Sequence, residues 1–231
     1  YRVAYIVSEM LKPYFHEDAR KIRDVCFLAL LHDIGAYKTD EISKMLQFDT
    51  DDVLAHSVYG YLFIKYFSPL KKLSGAILLH HATWQVLEHS EVFPKGIRLL
   101  AQVIHVADRI DVAMEVQHLT WEETAVLLKK ESGTKFSPFI ADLALACDFH
   151  TPFEGDTDAE SLFFQLFSEI SLTQDEITDY LKMLIFTIDF RSRHTVTHTI
   201  TTTTISAELA KRMGMNEEEC NQIICGSMLH D

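Results

Sequence analysis

The 231-residue chain is poor in positive charge and contains no long apolar run. Its 21 lysines and arginines stand against 34 aspartates and glutamates, which gives a formal net charge of −13 at pH 7. Such a charge repels phosphate backbones and anionic lipid surfaces. We therefore do not expect polymeric nucleic acid as a partner. A membrane-spanning helix needs roughly 18 or more apolar residues in a row, so we do not expect a membrane as a partner either.

Cysteine is also scarce, and none of the four cysteines has the Cys-x-x-Cys spacing of a zinc or redox motif. Cys26 and Cys225 lie in apolar runs, where a small buried thiol is the ordinary occupant. The first residues lack the features of a signal peptide. The sequence therefore predicts reduced thiols and a cytoplasmic protein. The four cysteines are Cys26, Cys147, Cys220 and Cys225.

Apolar residues recur at helical spacing along most of the chain, and no segment has a clear strand pattern. The fold class predicted is all-α. Capping boxes at Thr120–Glu123 and Thr173–Glu176 mark two helix starts, and Asn216 caps a third. The predicted helices cover about residues 1–11, 18–31, 52–67, 74–85, 97–116, 120–130, 138–149, 161–170, 173–190, 196–213 and 216–230.

A stretch rich in Thr, Pro, Gly and Asp, from 150 to about 160, is the best linker candidate. We predict a first domain over residues 1–149 and a linker with a short helix over 150–172. Residues 173–231 are then the opening part of a second domain.

The unusual feature of the composition is twelve histidines. Several histidines and aspartates interrupt apolar sequence on four separate predicted helices. Burying such groups without partners is costly, so they should either satisfy one another or share an ion. The candidate ligands are His32, Asp33, His56, His80, His81 and Asp108.

A mixed set of nitrogen and oxygen ligands suits Fe, Mn, Zn, Co or Ni. Six ligands exceed what one tetrahedral site requires, so we predict two divalent metal ions. A close metal pair stabilises the attacking and leaving oxygens when a phosphate ester is hydrolysed.

Single histidines in other contexts are more often hydrogen-bonded core or surface residues than ligands. This interpretation applies to His16, His89, His105, His118 and His150. His194 is left open between an extra ligand and a capping or surface role.

Four motifs follow one another in a characteristic order: Leu-Leu-His32-Asp33-Ile-Gly, His56-Ser-Val-Tyr-Gly, Leu-Leu-His80-His81 and Ile-His-Val-Ala-Asp108-Arg. This order resembles the HD superfamily of metal-dependent phosphohydrolases and, within it, the HD-GYP branch. Gly133-Thr-Lys-Phe-Ser-Pro resembles the stretch that closes such a domain, so the resemblance covers about residues 1–149.

The resemblance implies an HD-domain helical bundle that hydrolyses a cyclic dinucleotide, either cyclic di-GMP or the mixed GMP–AMP ring, by a metal-activated water. It also implies that Asp33 and His32 are catalytic and that Asp33 bridges the metals. The family's lysine after His-Asp-x-Gly is replaced by Ala36, and the Gly-Tyr-Pro loop is missing after His81.

Two alternatives follow from these departures. In the first, the domain is a metal-binding regulatory or dimerisation module with little or no turnover, and a homodimer is an open option. In the second, it is an HD hydrolase of nucleotides or of another small phosphate ester.

The His-Asp pair returns as His230-Asp231 at the other end of the chain. The segment leading to His198 resembles the opening of an HD-GYP domain, in which one histidine ligand precedes the pair. We therefore predict the opening helices of a second HD or HD-GYP domain, with a partial metal site made of His198, His230 and Asp231. The natural protein is expected to continue beyond Asp231.

Overall fold

The computed structural model describes residues 1–14, 18–36, 54–149, 161, 164, 172–189 and 195–230. Within these ranges every regular element is a helix, and one isolated bridge pairs Ser132 with Phe136. The all-α prediction is confirmed. The α-helices are α1 (Arg2–Leu11), α2 (Ala19–Leu30), α3 (Leu54–Phe67), α4 (Ser74–Leu79), α5 (Trp84–Glu88), α6 (Lys95–Asp111), α7 (Trp121–Glu131), α8 (Pro138–Leu145), α9 (Gln174–Asp189), α10 (Thr195–Arg212) and α11 (Glu217–Met228).

The chain divides into two compact units. The first comprises Tyr1–Leu62 and Lys72–Ser171, and the second comprises Phe63–Lys71 and Leu172–Asp231. The domain boundaries at 149 and 173 stay predictions.

Helix α6 is the centre of the first unit, because it packs against α1, α4, α5 and α8. All ten residues from 101 to 110 are buried. The helix therefore carries polar side chains, among them Gln102, His105 and Asp108, into the interior. A π-helical turn, Val112–Val116, continues it.

Helix ends follow the caps in the sequence. Thr120 and Glu123 form the predicted capping box at the start of α7, and Asn216 and Glu219 form another at the start of α11. Thr173 accepts the backbone N–H of Glu176, whose carboxylate in turn accepts the N–H of Thr173. These boxes satisfy backbone donors that a helix start leaves without intrahelical partners.

Three predicted elements differ from the structure. The helix expected over 74–85 is two helices, α4 and α5, separated by a turn at residues 80–83. The helix expected from 97 begins at Lys95, directly after Pro94, and the one expected to reach 149 ends at Leu145. The helix expected over 161–170 lies almost entirely outside the described residues.

In the second unit, α9, α10 and α11 pack on one another, with Met183, Ala210 and Cys220 buried. Helix α10 contains the run Thr201–Thr204 despite its β-branched side chains. The Thr204 hydroxyl donates to the carbonyl of Ile200 at 2.8 Å, a common way for a threonine to be accommodated within a helix.

No helix among the described residues combines the length and apolarity that crossing a membrane requires. All four cysteines are free thiols. Burial raises the pKa of Cys26 to about 12, so this thiol stays protonated at neutral pH.

Candidate metal centre

Six side chains predicted as ligands converge in the first unit, and four elements deliver them. His32 and Asp33 lie in the turn after α2, and His56 lies near the start of α3. His80 and His81 follow the end of α4, and Asp108 lies in the last turns of α6. Adjacent residues on a regular helix point about 100° apart, so each pair reaches a common point because its helix has already ended.

Gly35 allows the His32–Asp33 turn to lie directly against α3. A Cβ atom on Gly35 would overlap the carbonyl oxygen of His56 and would lie 2.5 Å from the backbone nitrogen of Gly60. Helix α2 itself ends at Leu30, five residues before Gly35. The role of Gly35 is thus close approach of two backbones, which brings Asp33 beside His56.

Asp33, His56, His80 and His81 form the tightest part of the cluster: each can offer one ligand atom such that all four lie within 4.8 Å of one another. The Nε2 atom of His56 lies 3.4 Å from that of His80 and 3.0 Å from that of His81. Oδ1 of Asp33 lies 3.6 Å from His56 Nε2 and 3.7 Å from His80 Nε2. A carboxylate and three imidazole nitrogens therefore face one small volume.

The carbonyl at position i−3 fixes the orientation of two of these rings. Nδ1 of His32 donates to the carbonyl of Ala29 at 2.7 Å, and Nδ1 of His80 donates to that of Ile77 at 2.5 Å. A carbonyl only accepts, so Nδ1 carries the hydrogen and Nε2 faces the cluster. Histidine ligands in metal sites are usually held in this way by a bond from the second ring nitrogen.

Asp108 joins the cluster through His32. Its Oδ1 lies 3.7 Å from Nε2 of His32, while Oδ2 accepts hydrogen bonds from Nη2 and Nε of Arg109 at 2.6 and 3.1 Å. Both Asp108 and Arg109 are buried. Arg109, which the sequence analysis did not single out, thus compensates the charge of a buried carboxylate.

Burial and neighbouring charges move the pKa values of these groups in opposite directions. Burial would lower the pKa of His32, but the carboxylates of Asp33 and Asp108 outweigh it and hold that pKa well above 6.5. Burial would raise the pKa of Asp33, and the adjoining His32 and His80 hold it well below the usual range. Burial lowers the pKa of His56 to about 4 and that of His81 further still, with His80 adding to the effect on both.

The donor set fits divalent metal ions on its own geometry. Within the described residues, four buried atoms of the cluster have no hydrogen-bond partner: His32 Nε2, Asp33 Oδ1, His56 Nδ1 and His81 Nδ1. Although 37% of the Asp33 side chain is exposed, its Oδ1 atom is buried. Buried polar atoms are rarely left without a partner. A cation bound in the cluster would give a partner to two of them, His32 Nε2 and Asp33 Oδ1.

Residues 1–113 match the family model of the HD domain. The chain contains an HD domain. The resemblance to the HD superfamily of phosphohydrolases is thereby confirmed, while its assignment to the HD-GYP branch stays a prediction.

Two further comparisons find similarity to phosphodiesterases. The chain is 24% identical over 225 residues to the 3′3′-cGAMP-specific phosphodiesterase 1 of Vibrio cholerae serotype O1, covering 88% of this chain and 51% of that protein. A crystal structure described as a cyclic GMP-AMP-specific phosphodiesterase of V. cholerae matches with a TM-score of 0.62 at 13% identity, over 100% of this chain and 64% of that one. The chain therefore spans about half the length of the curated relative that it matches.

Outside the HD domain, the structure brings His198 and His230 of the predicted second site together. Their Nε2 atoms lie 3.0 Å apart, and Nδ1 of His230 donates to the carbonyl of Ser227 at 2.8 Å. This is the same i−3 bond that orients His32 and His80. Both histidines are exposed, and Asp231 and His194 lie outside the described residues.

The remaining histidines have the ordinary roles expected of them, as far as they are described. His89 and His118 are exposed, and His118 has a left-handed backbone with φ of 56°. His105 is buried beside the HD cluster, where Nε2 of Gln102 lies 3.5 Å from its Nδ1 and Phe136 packs edge-on against its ring. Burial lowers the pKa of His105 to about 3, so the ring is neutral. His16 and His150 lie outside the described residues.

Sequence reasoning missed three residues that shape the HD centre: Gly35, Gln102 and Arg109. The signal for Gly35 was present, because glycine has no Cβ atom and therefore suits a close approach of two backbones. A single glutamine or arginine in an apolar helix gives no comparable signal, because its partners come from distant parts of the chain.

Proposed function

We propose that the chain is a metal-dependent phosphodiesterase of the HD type that hydrolyses a cyclic dinucleotide. The observation that carries the proposal is the cluster of one carboxylate oxygen of Asp33 and one imidazole nitrogen each of His56, His80 and His81, all within 4.8 Å of one another. The site would hold two divalent ions of Fe, Mn, Zn, Co or Ni. The ligands would be His32, Asp33, His56, His80, His81 and Asp108.

The contacts of Asp33 support a bridging role for its carboxylate. Its Oδ2 atom lies 3.2 Å from Nε2 of His32, whereas its Oδ1 atom faces His56 and His80. The Asp33 carboxylate thus lies between His32 on one side and His56 and His80 on the other. We assign Asp33 and His32 the catalytic roles. Divalent ions, when bound, supply positive charge to phosphoryl oxygens and lower the pKa of water.

The substrate assignment is supported by the relatives and by a nearby cavity. Both V. cholerae relatives are described as phosphodiesterases specific for a cyclic GMP-AMP ring, which favours the mixed ring over cyclic di-GMP. A cavity of about 460 Å³ reaches His32, with Arg2 and Asp111 in its wall. This volume is in the range of small-molecule sites.

A second candidate function is a metal-binding regulatory or dimerisation module with little turnover. It is favoured by Ala36, whose methyl side chain cannot contact a phosphate, and by the absence of a Gly-Tyr-Pro sequence after His81. Under this alternative the HD centre still binds metal, but substrate is not turned over there.

We infer further that residues 173–231 open a second HD or HD-GYP domain, joined to the first by residues 150–172. The contact between His198 and His230 supports this inference, since it repeats the ring orientation found in the first site. Asp231 would complete the set of ligands available in this segment.

Metal analysis of the purified chain tests the centre directly. We expect bound divalent metal in the wild type and its loss in the His32→Ala, Asp33→Ala double variant. The matched control is His89→Ala, which removes an exposed histidine that lies 3.7 Å from Glu88 and should leave the metal content unchanged. A wild-type protein that binds no metal when it is offered would contradict the proposal.

A substrate panel then separates the candidate functions. We expect metal-dependent hydrolysis of 3′3′-cGAMP or cyclic di-GMP that Asp33→Asn abolishes. Hydrolysis of mononucleotides alone would indicate an HD nucleotide phosphohydrolase. Metal binding without turnover of any substrate would support the regulatory module, for which light scattering then reports whether the chain dimerises.

A further inference from the structure

The His80–His81 turn needs support from outside its own helix. Helix α4 ends at Leu79, and the Ala82 N–H donates to the Leu79 carbonyl at 2.9 Å within the turn. Both histidine side chains must nevertheless point at His56, at the distances of 3.4 and 3.0 Å given above. The orientation of this turn therefore decides whether two adjacent residues can bind the same ion.

Gln102 of α6 holds the turn at Ala82. Its Nε2 atom donates to the carbonyl of Ala82 at 2.8 Å, and its Oε1 atom accepts the backbone N–H of Ser137 at the same distance, 2.8 Å. The two partners fix the orientation of the amide, because a carbonyl can only accept and a backbone N–H can only donate. Gln102 is fully buried; its bond to Ser137 is buried as well, and its bond to Ala82 is part-buried.

The loop at residues 132–137, which Gln102 joins to this turn, also holds the residues that follow His81. The backbone N–H groups of Trp84 and Gln85 donate to the carbonyls of Lys135 and Thr134 at 2.9 and 3.0 Å. The residues after His81 are thus tied both to α6 and to the 132–137 loop. Gln102 is the side chain that connects all three.

We propose that Gln102 is a positioning residue for the metal centre, acting on His80 and His81 through the backbone of Ala82. The inference rests on the proposed function, because it requires that these histidines bind metal. Partners that orient metal ligands typically contribute about 10- to 100-fold to metal affinity. Since Gln102 acts through one intervening residue, we expect about a tenfold contribution, at the lower end of that range.

The test compares Gln102→Met and Gln102→Glu with Thr124→Val in the full chain. Met has a similar length and removes both of these hydrogen bonds, together with the 3.5 Å contact to Nδ1 of His105. Glu keeps an acceptor for Ser137 and loses the amide donor to Ala82, so it serves as a second variant if Gln102→Met does not fold. Thr124 is a buried residue whose hydroxyl donates to the carbonyl of Thr120 at the start of α7, so Thr124→Val removes a part-buried hydrogen bond away from the turn.

Co²⁺ titration of the metal-free proteins gives both an affinity and a visible spectrum of the ligand geometry. Urea unfolding without metal measures the stability of each variant separately. We expect both Gln102 variants to bind Co²⁺ about tenfold more weakly with an altered spectrum, while Thr124→Val keeps the wild-type affinity and spectrum even if it is equally destabilised.

Wild-type affinity and spectrum in either folded Gln102 variant would overturn the inference and leave the proposed function intact. An equal loss in Thr124→Val would also overturn it, because the effect would then be one of general stability. A wild type that does not bind Co²⁺, Mn²⁺ or Zn²⁺ would overturn the proposed function together with this inference.

Discussion

At the scale of single residues, the site depends on pairs of adjacent side chains that a regular helix would point in different directions. His32 and Asp33, like His80 and His81, are neighbours in the sequence that serve one centre, which a regular helix would prevent. Their convergence depends on a glycine that lets two backbones touch and on histidines oriented by the carbonyl three residues earlier. Each of these features can be changed by one substitution.

Gly35→Ala should destabilise the protein strongly. The new methyl group would overlap the His56 carbonyl oxygen, and backbone atoms cannot move aside as a flexible side chain can. We expect a loss of about 2 kcal/mol or more in the free energy of unfolding, in the range of overpacked core positions, together with weaker metal binding. Urea unfolding of the metal-free protein measures the first effect.

The matched control is Gly96→Ala. No atom lies within 4 Å of a Cβ placed on Gly96, which is in the first turn of α6. Alanine has the higher helix propensity, so this change should be neutral or stabilising by up to about 1 kcal/mol. Equal unfolding free energies for the two variants would show that the close approach at Gly35 is not required.

Metal binding should release about one proton near pH 7. The pKa of His32 is held well above 6.5 by Asp33 and Asp108 against the effect of burial, so in the metal-free protein this ring carries a proton that a metal ion must displace. His56, with a pKa of about 4, is already neutral. From neutral pH down to the His56 pKa of about 4, metal affinity should fall about tenfold for each unit by which the pH is lowered.

Titration calorimetry in two buffers of different ionisation enthalpy counts the released protons. In His32→Ala the release should disappear, although binding is weaker. A wild type that binds metal at pH 7 without releasing a proton would contradict the assignment of a protonated His32.

At the scale of elements, helix starts could be predicted from the sequence where a capping box within four residues determines them. The capping boxes at Thr120, Thr173 and Asn216 mark true helix starts, since they satisfy backbone donors within four residues of one another. The break at residues 80–83 was not predicted, because it is fixed by Gln102 and by the 132–137 loop, which lie far along the chain. The six candidate ligands could be chosen from the sequence, whereas the non-local contacts of Gly35, Gln102 and Arg109 around them could not.

Thr120→Ala should lower the free energy of unfolding by about 1 kcal/mol, the usual contribution of a threonine cap. The Thr120 hydroxyl accepts the Glu123 N–H at 3.2 Å, and that donor would lose its partner. Helix α7 carries none of the proposed ligands, so metal affinity should not change. Thermal or urea unfolding and a metal titration measure the two properties.

A second threonine provides the comparison. Thr204 is exposed within α10, where its hydroxyl bonds the carbonyl of Ile200, and alanine is the better helix former. Thr204→Ala should therefore be neutral or slightly stabilising. If both substitutions lowered the free energy of unfolding by the same amount, the loss in Thr120→Ala could not be attributed to capping.

At the scale of the whole molecule, we expect the net charge of −13 to limit which phosphate compounds bind. A long nucleic acid meets the repulsion of the entire surface, and its binding depends on cations that neutralise many phosphates together. A small cyclic dinucleotide carries only two phosphates and needs favourable charge at one point, which metal ions at the HD centre would supply. The size of a phosphate compound, and not its phosphate chemistry alone, should therefore determine whether it binds to the chain.

We expect a labelled duplex oligonucleotide to show no binding to the metal-loaded protein near physiological salt, while a labelled cyclic dinucleotide binds and is displaced by its unlabelled form. Fluorescence anisotropy measures both. Replacing Asp33 by Asn should weaken binding of the cyclic dinucleotide and leave the duplex result unchanged, because only the small ligand depends on the centre. Tight, salt-sensitive binding of the duplex would mean that a local basic surface outweighs the net charge, and the exclusion of polymeric nucleic acid would then be wrong.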